Sequence, residues 1–190
     1  MGGNESRFGY RIIDIFPGSP GEKSGLQIYL DFIISINGTE LLKSELPFQE
    51  LIKNNENCCV TLEVLSLKNM ETREVKLTPK VWEGDGLIGV NLSYEDSIEV
   101  MKNIIHVTNV FPDTPASNSG LKEGEFIIGC KESKIRTADD IQAILDKNGE
   151  INLVVYSKFD KKVRNVLLES IDGSIGIEIA TGVMHRINDE

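Results

Sequence analysis

Apolar residues along this chain fall into short runs of strand length, broken by Pro, Gly and Asn, and the runs come in the same order twice. Tyr10 to Phe16 opens the first series and Ile104 to Phe111 the second, both rich in the Ile, Val and aromatic residues that fit a pleated surface. Prolines cut each strand off. Phe16-Pro-Gly-Ser-Pro20 with Gly25-Leu26 recurs as Phe111-Pro-Asp-Thr-Pro115 with Gly120-Leu121, at a constant offset of 95 positions. The two glycines suit the left-handed close of a short helical turn. Apolar runs follow at Phe32-Ile33-Ile34 and Phe126-Ile127-Ile128, one residue closer in the second copy. The strand from Asp31 to Ile36 runs into Asn37-Gly38, a strong hairpin signal, where the second copy has Gly129-Cys130-Lys131.

A helix of about ten residues is predicted next, because Phe48, Leu51 and Ile52, like Ile141, Ile144 and Leu145, follow i, i+3, i+4 spacing. Thr137 with Asp140 has the form of a capping arrangement at the start of the second helix. Strands return at Val60 to Ser66 and Arg73 to Leu77, and at Ile151 to Ser157 and Arg164 to Leu168. Each series closes on a glycine-flanked apolar turn: Gly86-Leu87-Ile88-Gly89-Val90 and Gly173-Ser174-Ile175-Gly176-Ile177. By this point the offset has shrunk to 87, so the copies differ in their loops while the order of elements holds.

A Gly-rich apolar loop that runs into a strand and faces a helix across a groove is the peptide-binding device of PDZ domains. Here the loop comes last in each copy, so the strand order resembles a circularly permuted PDZ domain. Tandem modules of that kind resemble the Golgi reassembly and stacking (GRASP) family. The residues that carry the match are Met1-Gly2, Gly9-Tyr10, Ser19-Pro20-Gly21, Asp31 to Gly38, Trp82 with Gly84 to Val90, Ser117 to Leu121, and His185-Arg186-Ile187. The resemblance implies an α+β, mostly β, protein with residues 1–7 as an acylated tail. Residues 8–100 and 101–190 are then two tandem permuted PDZ-like domains, each a small antiparallel β-barrel or sandwich with a groove between a strand and a helix.

Two sets of groove residues follow. In the first module the backbone N–H groups of Leu87, Ile88, Gly89 and Val90 converge on a concavity suited to a C-terminal carboxylate, with Phe48, Leu51 and Ile52 on the opposite wall. The start of that helix carries no His for a Ser or Thr hydroxyl, so an apolar penultimate ligand side chain is expected. Leu87, Ile88 and Val90 as plain core residues of a terminal strand is the alternative; the repeat and the permuted order favour the groove. Bulk at Gly89 or reversed polarity at Ile88 is expected to weaken binding and leave the fold intact. The second groove comprises Ser174, Ile175, Gly176 and Ile177 with Ile141 and Leu145, and Glu178 puts a carboxylate either in solvent or across the ligand path. A different ligand preference is expected there.

The resemblance further implies a non-enzymatic scaffold on the cytoplasmic face of Golgi membranes, tethering and stacking them by self-association and by binding golgin-type coiled-coil proteins. Met1-Gly2-Gly3-Asn4-Glu5-Ser6 fits the N-myristoylation pattern with Gly2 as acceptor, a six-residue pattern that also arises by chance. One myristoyl chain binds membrane with an association constant of about 10⁴ M⁻¹, so a membrane-bound partner is expected to supply the second anchor. A soluble two-PDZ adaptor for C-terminal peptides, and the recognition part of a protease, are the competing readings. Relatives of this family usually continue into a Ser- and Pro-rich tail, whereas this sequence stops at Glu190.

Composition narrows the field. With 40% hydrophobic and 26% charged residues the chain has the make-up of a soluble globular protein, and it contains no apolar stretch of spanning length. Its net charge of −10 repels phosphate backbones and anionic headgroups, so nucleic acid is not an expected partner. Three cysteines cannot all pair, and strand alternation at Cys58-Cys59 points them apart, which fits a reducing compartment. No cofactor is expected. Some GRASP relatives pair a His after the Gly-Tyr dipeptide with a downstream Cys to share a zinc; Arg11 and the cysteine-free stretch Asn91 to Asn103 predict no such metal. His106 is expected to be packed within a strand, and Tyr94-Glu95-Asp96 to form a solvated loop between the modules.

Overall fold

The structure, a computed structural model, describes residues 8–135, 137–170 and 174–188, excepting the side chains of 138, 148 and 183. The chain divides into two compact units, Met1–Ile98 and Glu99–Glu190.

In the first unit β1 (Phe8–Ile15) leads through the turn α1 (Pro20–Lys23) to β2 (Asp31–Ile36) and the short β3 (Thr39–Glu40). Helix α2 (Phe48–Asn54), β4 (Val60–Ser66), β5 (Thr72–Leu77) and β6 (Val90–Asp96) complete it, and α3 (Ser97–Lys102) follows. The second unit repeats the plan with β7 (Ile105–Val110), α4 (Pro115–Asn118), β8 (Phe126–Cys130), α5 (Ala138–Asn148), β9 (Glu150–Ser157), β10 (Lys162–Glu169) and β11 (Ile177–Ala180).

All pairings are antiparallel, in the orders β5-β4-β2-β1-β6, with β3 on β2, and β10-β9-β8-β7-β11. The last strand of each unit therefore lies beside its first, at the sheet edge, as the permuted order requires. Neither sheet closes into a barrel among the described residues: β5 and β6, like β10 and β11, stand at opposite ends of their sheets. Each unit is an open sheet whose apolar face is covered by its helix.

Local chemistry explains the punctuation. Ser19 and Thr114 cap the two short turns, each side chain accepting from the amide three residues on, and Gly25 and Gly120 follow at φ +78° and +76°. Asn37 and Gly38 both take positive φ, turning β2 into β3. Thr137 and Asp140 form a reciprocal capping box on α5, as their spacing predicts. Around Phe48 and Ile52 the first core gathers Ile12, Ile33, Val60, Leu62, Val64 and Val75; around Ile141 and Leu145 the second gathers Ile105, Val107, Ile127, Ile151, Leu153 and Val166. Each such side chain contributes about 1.5–3 kcal/mol by leaving water.

Two local expectations fail. Tyr94-Glu95-Asp96 is the end of β6 and not a loop, paired with Tyr10, Gly9 and Phe8. Its acids are tolerated there because Glu95 pairs with Arg11 at 3.5 Å and Asp96 accepts from the amide of Ile98, opening α3. Cys58 and Cys59 precede β4 in a turn, where the Cys58 amide bonds the Asn55 carbonyl, so strand alternation does not apply; both are exposed.

Candidate peptide-binding groove

The first groove, about 570 Å³, lies between α2 and β6. Pairing with β1 uses one edge of β6, and the strand ends the sheet order, so its other edge is open to an added strand.

At the head of the groove four consecutive carbonyls turn toward the protein. Gly86 O accepts from the Trp82 indole (2.9 Å), Leu87 O from Lys80 N (2.9 Å), Ile88 O from Gly21 N (2.8 Å) and Gly89 O from Phe16 N (3.0 Å). The amides of Leu87, Ile88 and Gly89 have no acceptor among the described residues. Such N–H groups need water or a ligand to accept from them, and a carboxylate accepts several together.

Gly89 makes this geometry possible. At φ +63°, an added Cβ would stand 2.3 Å from Ser19 Cβ and 2.7 Å from the Trp82 ring. The close approach is therefore to the protein's own cap residue and indole. Gly176 repeats it at φ +75°, 2.3 Å from Thr114 Cβ, while Ile175 O and Gly176 O accept from Ala116 N and Phe111 N at 3.0 Å each.

Of the predicted residues, Leu87, Ile88, Gly89, Val90, Phe48 and Ile52 do line the groove. Leu51 does not: it is half-buried against the core on the flank of α2 turned from the opening. Gln49, Lys53 and Glu56 stand on the groove side instead, with Asp85, Asn91 and Leu92. Helical spacing identified the buried stripe, and continuing it one position round would have found 49, 53 and 56. Ile88, 7% exposed, belongs to the core cluster. A polar residue there, like bulk at Gly89, would damage the fold itself, contrary to expectation.

In the second unit Ser174 and Glu178 are exposed, and Ile175 and Ile177 are half-buried against the core. Ile141 and Leu145, each 2% exposed, are core residues whose side chains are nearly closed to a ligand. Ile177 and Ile179 pack against the core, so strand alternation turns Glu178 to the opposite, solvent face. Gly173 lies outside the described residues, as do Gly2, the predicted acyl acceptor, and the whole tail 1–7.

Arg11 is deeply buried. Its Nε and Nη2 donate to the Tyr29 carbonyl (3.1 and 2.9 Å), and its guanidinium lies 5.2 and 5.9 Å from the Tyr29 and Phe32 rings. Burial pulls its pKa down and Glu95 opposes the shift. Both groups are thereby engaged inside the module. Among the described residues no group of three or more His, Cys, Asp or Glu side chains is placed to hold a metal, and no helix is long and apolar enough to cross a membrane. His106 and His185 face each other, Nδ1 to Nδ1 at 3.1 Å, with His106 stacked on Phe126.

A family model for the GRASP55/65 PDZ-like domain matches residues 4–80 and again 62–190. Golgi reassembly-stacking protein 1 of Homo sapiens is 30% identical over 94% of this chain, and an uncharacterised protein of Schizosaccharomyces pombe is 27% identical over 94%. A probable periplasmic serine endoprotease, DegP-like, of Chlamydia pneumoniae is 26% identical over 82%. The chain spans 42% of the length of the human relative and 53% of the yeast one.

Proposed function

Because this chain belongs to the GRASP55/65 PDZ-like domain family, we propose that it is a non-enzymatic scaffold that tethers and stacks Golgi membranes from their cytoplasmic face. It binds the C-termini of golgin-type partners, and further copies of itself, through its PDZ-like grooves. The observation that carries this reading is the row of acceptor-free amides at Leu87, Ile88 and Gly89 beside the open edge of β6. A peptide carboxylate accepts from the amides while its backbone extends the sheet. Ser174, in the place that Leu87 holds in the first module, gives the second groove a more polar lip and a separate ligand preference. Myristate on Gly2 anchors the chain weakly, and a membrane-bound partner in a groove raises the effective concentration that completes attachment.

A DegP-like protease aligns with part of this chain, but among the described residues His106 and His185 face each other instead of a serine or cysteine. Peptides with apolar C-termini, offered as free acids and as amides, test the groove. Binding of both forms with equal affinity would remove the carboxylate site. Mass spectrometry of the native protein checks Gly2, and clustering of liposomes bearing the acylated chain checks tethering.

A further inference from the structure

Val90, Leu92 and Tyr94 share one face of β6 by strand alternation, and the first two line the groove. Tyr94 is the next step along that face. Across the sheet it pairs with Tyr10, ring centroids 5.1 Å apart, and its other neighbour is Phe8 at 5.8 Å with planes 23° apart. Tyr10 in turn stacks on Phe48 at 5.2 Å, and Phe48 is groove wall. An aromatic row thus runs from inside the groove to the sheet edge. Phe48 is 2% exposed, whereas Tyr94 and Phe8 are 46% and 40% exposed. Two large exposed rings side by side, continuous with a groove, form a contact surface rather than scattered surface residues.

We propose that Tyr94 and Phe8 form an upstream subsite of the first groove that takes a cationic side chain, arginine or lysine, from the residue fifth from the end of a bound peptide. This rests on the groove reading above. In an antiparallel added strand whose last residue lies opposite Val90, the third from the end lies opposite Leu92 and the fifth opposite Tyr94. Opposed residues share a face with Cβ atoms about 4.5–5.5 Å apart, so the fifth side chain meets the Tyr94 ring. Charge decides its type. The chain carries a net −10, and the groove lining sets Glu56 and Asp85 against the single cation Lys53, so an acidic side chain is disfavoured. Ring faces attract guanidinium and ammonium groups within about 6 Å.

The test uses ten-residue peptides with free carboxylates and apolar last and third-from-last residues, differing only at the fifth from the end: Arg, Ala or Glu. Affinity for the full chain is read by fluorescence anisotropy. Arg is expected to bind about threefold to tenfold more tightly than Ala, in line with a cation–ring contact, and Glu more weakly than Ala. Tyr94→Leu keeps an apolar strand residue and is expected to abolish the Arg preference, read as the ratio of the Arg and Ala affinities in the same variant. Equal binding of Arg and Ala peptides overturns the subsite, as does a preference that survives in the Tyr94→Leu, Phe8→Leu double variant, which would be bulk charge. Self-association lost in Tyr94→Leu, with no peptide preference, would make a second copy the occupant and also overturn it. Failure of every peptide to bind sinks both groove and subsite, whereas an Arg preference indifferent to C-terminal amidation sinks only the carboxylate site.

Discussion

Arg73 holds Asp31 in a bidentate clamp, Nη1 to Oδ1 at 2.9 Å and Nη2 to Oδ2 at 2.6 Å, on a carboxylate with no exposed surface. Asp31 also accepts from the Gln27 amide at 2.7 Å, and Nη2 reaches the Gly25 carbonyl at 3.4 Å. The second unit repeats the device, Arg164 gripping Glu125 at 2.7 Å and the Gly120 carbonyl at 2.7 Å. In both, a strand late in the module ties the glycine that ends the short helical turn to the start of the second strand.

Removing Arg73 leaves a buried carboxylate short of its cation, a change that costs about 3–5 kcal/mol in fully buried pairs. Arg73 is 38% exposed, so water takes over part of its role, and Arg73→Ala is expected to lower stability by about 2 kcal/mol. Urea unfolding measures it; a loss below about 0.5 kcal/mol, the scatter of ordinary surface substitutions, would show that the clamp is incidental.

Gly86 and Gly89 separate backbone strain from collision. Both have positive φ, but nothing lies within 4 Å of a Cβ built on Gly86. Gly86→Ala is expected to cost about 1–2 kcal/mol of left-handed strain alone. Gly89→Ala adds contact with Ser19 and Trp82, so it should cost at least twice as much and shift amide resonances of residues 19–21. Equal losses would mean the loop moves aside freely.

On α2 the core and groove sides are adjacent positions. Leu51→Ala should lower stability by about 1–2 kcal/mol, as for a half-buried leucine, with peptide affinity unchanged. Lys53→Glu should leave stability within about 0.5 kcal/mol while weakening binding of a free-acid peptide. Titrating one peptide against both variants decides it; the reverse pattern would exchange the two faces.

Burial holds His106 below its usual pKa, with His185 and Lys158 acting the same way and Glu123 opposing. The unfolded chain therefore takes up the proton more readily than the native one. Stability is full above the unfolded value of about 6.5 and falls as pH drops through it toward the native value. One imidazole can donate to the other across 3.1 Å, but two imidazolium groups cannot. Thermal melts from pH 7.5 to 5 should show this decline, and His106→Phe, which keeps the stack on Phe126, should reduce its slope. An unchanged slope would assign the decline to other groups.

Cys130 is 6% exposed and its thiol donates to Glu132 at 2.8 Å; burial, with that carboxylate, pushes its pKa up to about 11. Cys58 and Cys59 are exposed. A thiol reagent at pH 7.5 should modify two cysteines quickly and the third only after unfolding. Three fast thiols would place Cys130 in an opening segment.

Much of this architecture was legible because it is local. Two-residue alternation, Pro-terminated strands, the Asn37-Gly38 turn and the Thr137 to Asp140 box involve neighbours along the chain, and the repeat displayed each of them twice. Tyr94 to Asp96 departs from the loop expectation for the opposite reason. Adjacent charges signal a loop only when nothing distant neutralises them, and Arg11 sits across the sheet.

The sequence by itself determined the order of elements, their duplication, the permuted position of the groove loop and most of its lining, since hydrophobic period and turn chemistry act within a few residues. Tertiary structure alone decided which partners meet across long separations: Arg73 with Asp31, Arg11 with Glu95, His106 with His185, and Gly89 over Ser19. It also decided that Leu51 faces the core while Gln49 faces the groove, and that Tyr94 extends the groove into an aromatic row. Those outcomes depend on where sheet and helix come to rest against each other. Spacing along a strand or helix says which residues share a face, and packing says what that face meets.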